Sequence, residues 1–150
     1  DPAADYPAAA LGLGASIETD RRTIAADDFF VDLFTTALEP GELIVAVRFP
    51  LVKRAAYVKL RQPASRFALV GVFVSQGDQG VRVAVTGARS HAFRVREMEQ
   101  ALERDFSPKA IEGVKVDPMG CNSDLHGSAE YRAAMIGVLA GRAVAKAREQ

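Results

Sequence analysis

The side chains suited to catalysis or metal binding are few in this chain of 150 residues, and their spacing assembles none of the usual sets. Its two histidines, His91 and His126, stand far apart and outside any metal-ligand spacing, which leaves each as a loop or surface residue. Ser128 lies close to His126, yet nothing around it resembles a nucleophile elbow. Cys121 is the sole cysteine, which excludes an internal disulfide or a cysteine-built metal cluster within the chain and reads as an incidental loop thiol. Gly12-Leu13-Gly14 fails as a dinucleotide fingerprint: the third glycine would fall at Ile17, and no strand precedes the pair. No catalytic residue and no metal ligand is assigned. What remains is charge distributed over regular structure.

Those charges need elements to hold them. Asp1 to Gly14 reads as a capped, Ala-rich helix with Tyr6, Ala9, Ala10 and Leu13 as its buried stripe, and Asp5 is a candidate cap. Short strands follow at Ala15 to Glu18 and Thr23 to Ala25. Asp27 or Asp28 is expected to cap a helix carrying Phe29, Phe30, Leu33 and Phe34 at helical spacing. Glu39-Pro40-Gly41-Glu42 is a turn. After it Leu43, Val45, Val47 and Phe49 point one way, as a row that would fill the core, and Ile44, Ala46 and Arg48 the other; a strand buried on both sides is the alternative. Pro50 ends this strand.

The segment from Pro50 to Ala55 is the expected boundary between two subdomains, 1–52 and 53–150. Beyond it Tyr57, Lys59 and Arg61 alternate with Val58 and Leu60. Phe67 to Ser75, apolar on both faces, suits a central strand. Gly77-Asp78-Gln79-Gly80 is a hairpin turn into a third strand, where Val81, Val83 and Val85 alternate with Arg82, Ala84 and Thr86. About three helices cover this sheet. One spans Ala92 to Glu103 with Val95, Met98 and Leu102 inward, and one follows the cap Ser107-Pro108 as far as Val114. The last begins at Gly127 or Ser128, with Tyr131, Met135, Val138 and Leu139 as its stripe and Arg142 and Lys146 near its C-terminus. The fold class is α+β, a three-stranded antiparallel sheet covered by about three helices.

The totals exclude several functions. Apolar residues make up 49% and charged ones 25%, the balance of a globular domain, and the 19 basic residues equal the 19 acidic ones. With no bulk field, nucleic acid is not an expected partner. No apolar run is long enough to span a bilayer and no signal peptide is visible, so the cytoplasm is the expected location. The chain does not open on Met, and functional residues are expected upstream.

One string is more pointed. Phe29-Phe30, followed by Thr35-Thr36-Ala37-Leu38-Glu39-Pro40-Gly41-Glu42-Leu43-Ile44, resembles the C-terminal half of the FAD-binding medium subunit of the molybdenum hydroxylases, the family of aerobic carbon monoxide dehydrogenase and xanthine dehydrogenase. Asp1-Pro2-Ala3-Ala4-Asp5-Tyr6-Pro7 and the stretch from Tyr57 to Ala68 agree. The resemblance implies FAD as cofactor, with residues 1–52 completing an FAD-binding subdomain and 53–150 forming the flavoprotein C-terminal domain. It also implies that Asp5 accepts from the ribose or adenine side, that Ile44 contacts the flavin, and that Lys59 or Arg61 stands beside the flavin ring. A carboxylate suits ribose hydroxyls, and a cation stabilises the charge a flavin gains on reduction.

The implied partners are a molybdenum-cofactor large subunit and an iron–sulfur small subunit, with electrons passing from the clusters through FAD to an external acceptor. Asp124 to Arg132 is a further family-like string, read as a helix start and a surface for partner subunits. The family's glycine-rich pyrophosphate loops lie upstream of Asp1, so weak or no FAD binding is expected of this stretch alone. The alternative is a structural docking module that binds no cofactor.

Overall fold

The computed structural model describes all 150 residues. Helix α1 (Asp5–Leu13) leads into β1 (Ser16–Thr19), β2 (Thr23–Ala25), the single turn α2 (Ala26–Phe29), and the short strands β3 (Phe30–Asp32) and β4 (Thr35–Thr36). Strand β5 (Ile44–Arg48) closes this part by pairing antiparallel with β1, giving the sheet order β2-β1-β5.

The second part is built on β6 (Arg54–Arg61), β7 (Ala68–Gly77), β8 (Gly80–Thr86) and β9 (Phe93–Arg94), an antiparallel sheet of four strands in sequence order. Helix α3 (Arg96–Arg104), a 3-10 turn at Pro108–Ile111 and helix α4 (Ala129–Ala147) complete it. The α+β reading stands with a fourth, two-residue strand. That strand takes the start of the segment read as helix, because Phe93 and Arg94 pair with Val85 and Ala84 before the chain turns helical at Arg96.

Alternation decides the layering. Val58, Leu60, Val70, Val72, Val74, Val83 and Val85 project from one face and meet Met98, Leu102, Ile136, Leu139 and Val144 of α3 and α4. Removing such side chains from water is the main favourable term, about 1.5 to 3 kcal/mol for each large one. The opposite face, carrying Tyr57, Phe73, Ser75, Arg82, Ala84 and Thr86, is covered by α1 and the elements after it. This two-sided cover explains why β7 and β8 are buried along most of both faces. Close approach is possible because Gly12 has no side chain: a Cβ there would lie 2.5 Å from Phe73 Cδ1. The end of α1 is satisfied by the sheet, since Arg82 Nε donates to the Leu11 carbonyl at 2.8 Å and Ser75 Oγ to that of Gly12 at 2.6 Å.

Several expected stripes are turned. In α1 the buried residues are Ala8, Leu11 and Gly12, while Tyr6 is 84% exposed. In α4 they run Arg132, Ala133, Ile136, Leu139, Ala140, Ala143, Val144 and Ala147, with Tyr131 and Val138 half exposed. Small alanines, which a periodicity count weights lightly, sit closest to the sheet. Neither Asp27 nor Asp28 caps α2, whose N-cap is Ala25; both lie in its first turn. The helix ends at Phe29, so Leu33 and Phe34 are exposed beyond it rather than inward-facing. Ser107 and Ser128 do cap, accepting from the amides of Ala110 and Tyr131. The Ser107 turn stops at Ile111, short of Val114.

Strand β5 departs most from expectation. Leu43 is 66% and Val45 64% exposed, and Ile44 and Val47 are exposed as well. It is an edge strand with β1 on one side only, so neither of its rows fills a core.

Candidate functional site

Alternation along β6 puts Tyr57, Lys59 and Arg61 on the face that α1 covers. The chain before α1 is fixed there by backbone contacts. Gly87 N donates to the Pro2 carbonyl at 2.6 Å, and the Thr86 hydroxyl lies 2.9 Å from the carbonyl oxygens of both Pro2 and Ala4. The first turn of α1 therefore arrives above β6 with Asp5 pointing at it.

Asp5 is not a cap: Ala4 holds that position and makes no side-chain cap bond. Its carboxylate is gripped instead by Tyr57 OH at 2.6 Å on Oδ1 and by Lys59 Nζ at 2.6 Å on Oδ2. Burial pushes the Asp5 carboxyl upward, but the hydrogen bonds from Lys59 and Tyr57 and the fields of Lys59 and Arg61 outweigh it and hold the group below its ordinary range. The Asp5 side chain is still 48% exposed, so part of the carboxylate remains open. The side chain of Arg61, at the exposed end of β6, makes no hydrogen bond or ion pair with the rest of the chain. A cavity of about 390 Å³ opens nearby, lined among others by Pro2, Ala3, Gln62, Phe67 and Gly87.

Three of the residues singled out from sequence, Asp5, Lys59 and Arg61, thus form one group. Ile44 does not join it; it lies half exposed on β5, in the other sheet. Tyr57, one alternation before Lys59, joins this group through its hydroxyl and is not singled out by the sequence reading.

Of two further polar clusters, the first ties the two parts together and the second lies wholly within the first part. Asp27 accepts from Arg82 Nη2 at 2.5 Å, Arg94 Nη1 at 2.8 Å and Arg96 Nη2 at 3.3 Å, while Glu99 takes the rest of the Arg94 fork at 2.7 and 2.8 Å. Glu42 accepts from Arg22 Nε at 2.9 Å, Glu39 N at 2.7 Å and Thr19 Oγ1 at 2.7 Å, which keeps its carboxyl down at about 2. The family-like string at Asp124 is internally used: Arg132 is buried, forks onto Asp124 at 2.9 and 2.8 Å, and donates to the carbonyls of Leu69 and Gly87. No group of His, Cys, Asp and Glu has the geometry to hold a metal ion, and no helix is long and apolar enough to cross a membrane.

A short first part docked on a helix-backed antiparallel sheet is a fold this chain shares with known proteins. Residues 1–52 match the FAD binding domain in molybdopterin dehydrogenase, and nearly the whole chain is similar to part of the medium subunits of molybdenum-hydroxylase-type enzymes. It is 32% identical over 161 residues to the nicotine 6-hydroxylase medium subunit of Paenarthrobacter nicotinovorans, across 98% of this chain and 57% of that one. It is 30% identical over 160 residues to the carbon monoxide dehydrogenase medium chain of Hydrogenophaga pseudoflava, across 95% and 55%. The solved Cu,Mo-CO dehydrogenase in its cyanide-inactivated form matches with a TM-score of 0.86 at 29% identity, over 99% of this chain and 58% of that one. The chain thus spans a little over half the length of the curated relatives it matches.

Proposed function

We propose that this chain supplies one wall of the FAD site in a molybdenum hydroxylase flavoprotein subunit, as part of an oxidoreductase complex. In that reading residues 1–52 complete the FAD-binding subdomain, and 53–150 form the domain that braces it. What supports it most is the meeting of Asp5, from the segment matching the FAD-binding family, with Lys59 and Arg61 on β6. The donor set fits the cofactor. A half-open carboxylate accepts from ribose hydroxyls, and an unpaired guanidinium offers charge to an electron-rich ring.

FAD, when bound, would accept electrons and pass them on. The residues of this chain take no part in bond making; they bind, orient and set the local field. Asp5 would hold the sugar side and Arg61 would favour the reduced, more negative state. Ile44 would offer an apolar contact only if the complete subunit brings its half-exposed face to the ring. The partners in this reading are a molybdenum-cofactor large subunit, which selects the substrate, and an iron–sulfur small subunit, from which electrons arrive. The exposed apolar row of Leu43, Val45 and Leu51 favours further protein against β5.

The test is Arg61→Ala in the complete subunit within its complex. The expected result is a flavin midpoint potential moved to more negative values, because the reduced state loses its cation. Unchanged potential and unchanged FAD content would sink the assignment.

A further inference from the structure

Tyr57 occupies the centre of the Asp5 group, in a setting that fixes it. Its ring stacks on that of Phe73, its register partner on β7, with centroids 6.3 Å apart and planes at 29°. Its hydroxyl fills the space over Gly71, where a Cβ would lie 2.3 Å from the Tyr57 oxygen. From that seat it donates to Asp5 Oδ1 while Lys59 donates to Oδ2, both at 2.6 Å. Burial first, then the hydrogen bond to Asp5, push the phenol far above its ordinary range, so it keeps its proton and stays a donor. A carboxylate with a donor on each oxygen cannot turn without breaking a short bond, so its remaining lone pairs point in fixed directions. Lys59 is spent in this grip, whereas the side chain of Arg61 has no partner in the chain.

We propose that Tyr57 is a positioning residue: together with Lys59 it locks the Asp5 carboxylate so that its free lone pairs face a vicinal diol of the ribose type, leaving Arg61 as the cation available to the cofactor's ring. This rests on the reading of Asp5 as an FAD contact. It predicts that the hydroxyl of Tyr57 acts only through Asp5.

The experiment is a double-mutant cycle in the complete flavoprotein subunit, stripped of cofactor and titrated with FAD by flavin fluorescence, with thermal unfolding of each apoprotein alongside. Tyr57→Phe keeps the ring stack and removes only the donor. Its FAD dissociation constant should rise about tenfold, the usual scale for one hydrogen bond to a charged group. In an Asp5→Ala background the same change should add less than twofold. Lys59→Met, which frees the other oxygen, should show the same dependence on Asp5, and serves as the second arm if Tyr57→Phe melts early. An unchanged constant in Tyr57→Phe, or an equal factor with and without Asp5, overturns the proposal. If Asp5→Ala itself binds FAD as tightly as wild type, the assignment of Asp5 falls first and the proposal falls with it.

Discussion

The two parts of this molecule handle apolar surface in opposite ways. From β6 onward the sheet and helices close over a core of 16 buried residues, including Val70, Val72, Val83, Met98 and Leu102. The cluster of the first part has 8, and two of these, Ala84 and Ala92, come from the second part. Outside that cluster Val31, Leu33, Phe34, Leu43, Val45 and Leu51 stand in the open. One region closes most of its hydrophobic residues into a core of its own, leaving Met119 and Leu125 in loops outside it; the other depends on docking, through α1 on the sheet and through Asp27 on Arg82 and Arg94. An incompletely covered lobe held by ionic contacts is suited to meet something else along β5.

The dependence of the first part on the second is concentrated at Asp27. Replacing Asp27 by Ala leaves Arg82 and Arg94, whose side chains are each 10% exposed, without their shared carboxylate. A cost of about 3 kcal/mol is expected, a loss of about 6 to 12 °C in Tm for a domain of this size. Hydrogen exchange should speed up in α1, β1 and β2 and change little in β7 and α4. Equal acceleration in both parts would show that they unfold as one unit.

A smaller effect is expected from acid. The fork from Arg22, the Glu39 amide and the Thr19 hydroxyl hold Glu42 at about 2, below its ordinary 4.5. A depressed carboxyl stabilises the fold fully above its unfolded value, so this contribution should be complete above pH 4.5, shrink as the pH falls, and vanish below about 2. Amide exchange around Glu39 to Leu43 should rise over that window before the β7 and β8 amides respond. In Glu42→Gln that early rise should disappear, because the group no longer titrates.

The smallest effect sharpens the contrast. Val45→Thr, on the open side of β5, should leave stability within about 0.5 kcal/mol of wild type by denaturant unfolding. A loss as large as that of a buried valine would mean β5 is covered in solution and the first part is more closed than it stands here.

Legibility tracked the kind of signal. The hairpin at Gly77 to Gly80, the β6 alternation and the Ser107 and Ser128 caps were read correctly, because turn chemistry and strand period are local. The stripe of α1 was read wrongly and that of α4 only half rightly, with Leu139 buried and Met135 against the core but Tyr131 and Val138 turned out, because Ala8, Ala133, Ala140 and Ala143 are buried for being small enough to let a sheet approach. Strand β5 misled for another reason: its apolar pattern implies burial, and within this chain it has a neighbour on one side only. Asp5, Lys59 and Arg61, singled out from sequence, lie near one another in the fold, whereas Tyr57, which also holds Asp5, passed as part of a strand face; any role toward a cofactor is the proposal made above.

Sequence by itself determined the class, the element types and the charges available, since composition, period and capping act within a few residues of chain. Only the tertiary structure decided which charge answers which. Asp5 and Lys59 are 54 positions apart, and Asp27 and Arg94 67. Pairings at that range are set by how α1 lies across the sheet, which depends on the shape of Gly12 against Phe73 and on no local preference of either partner.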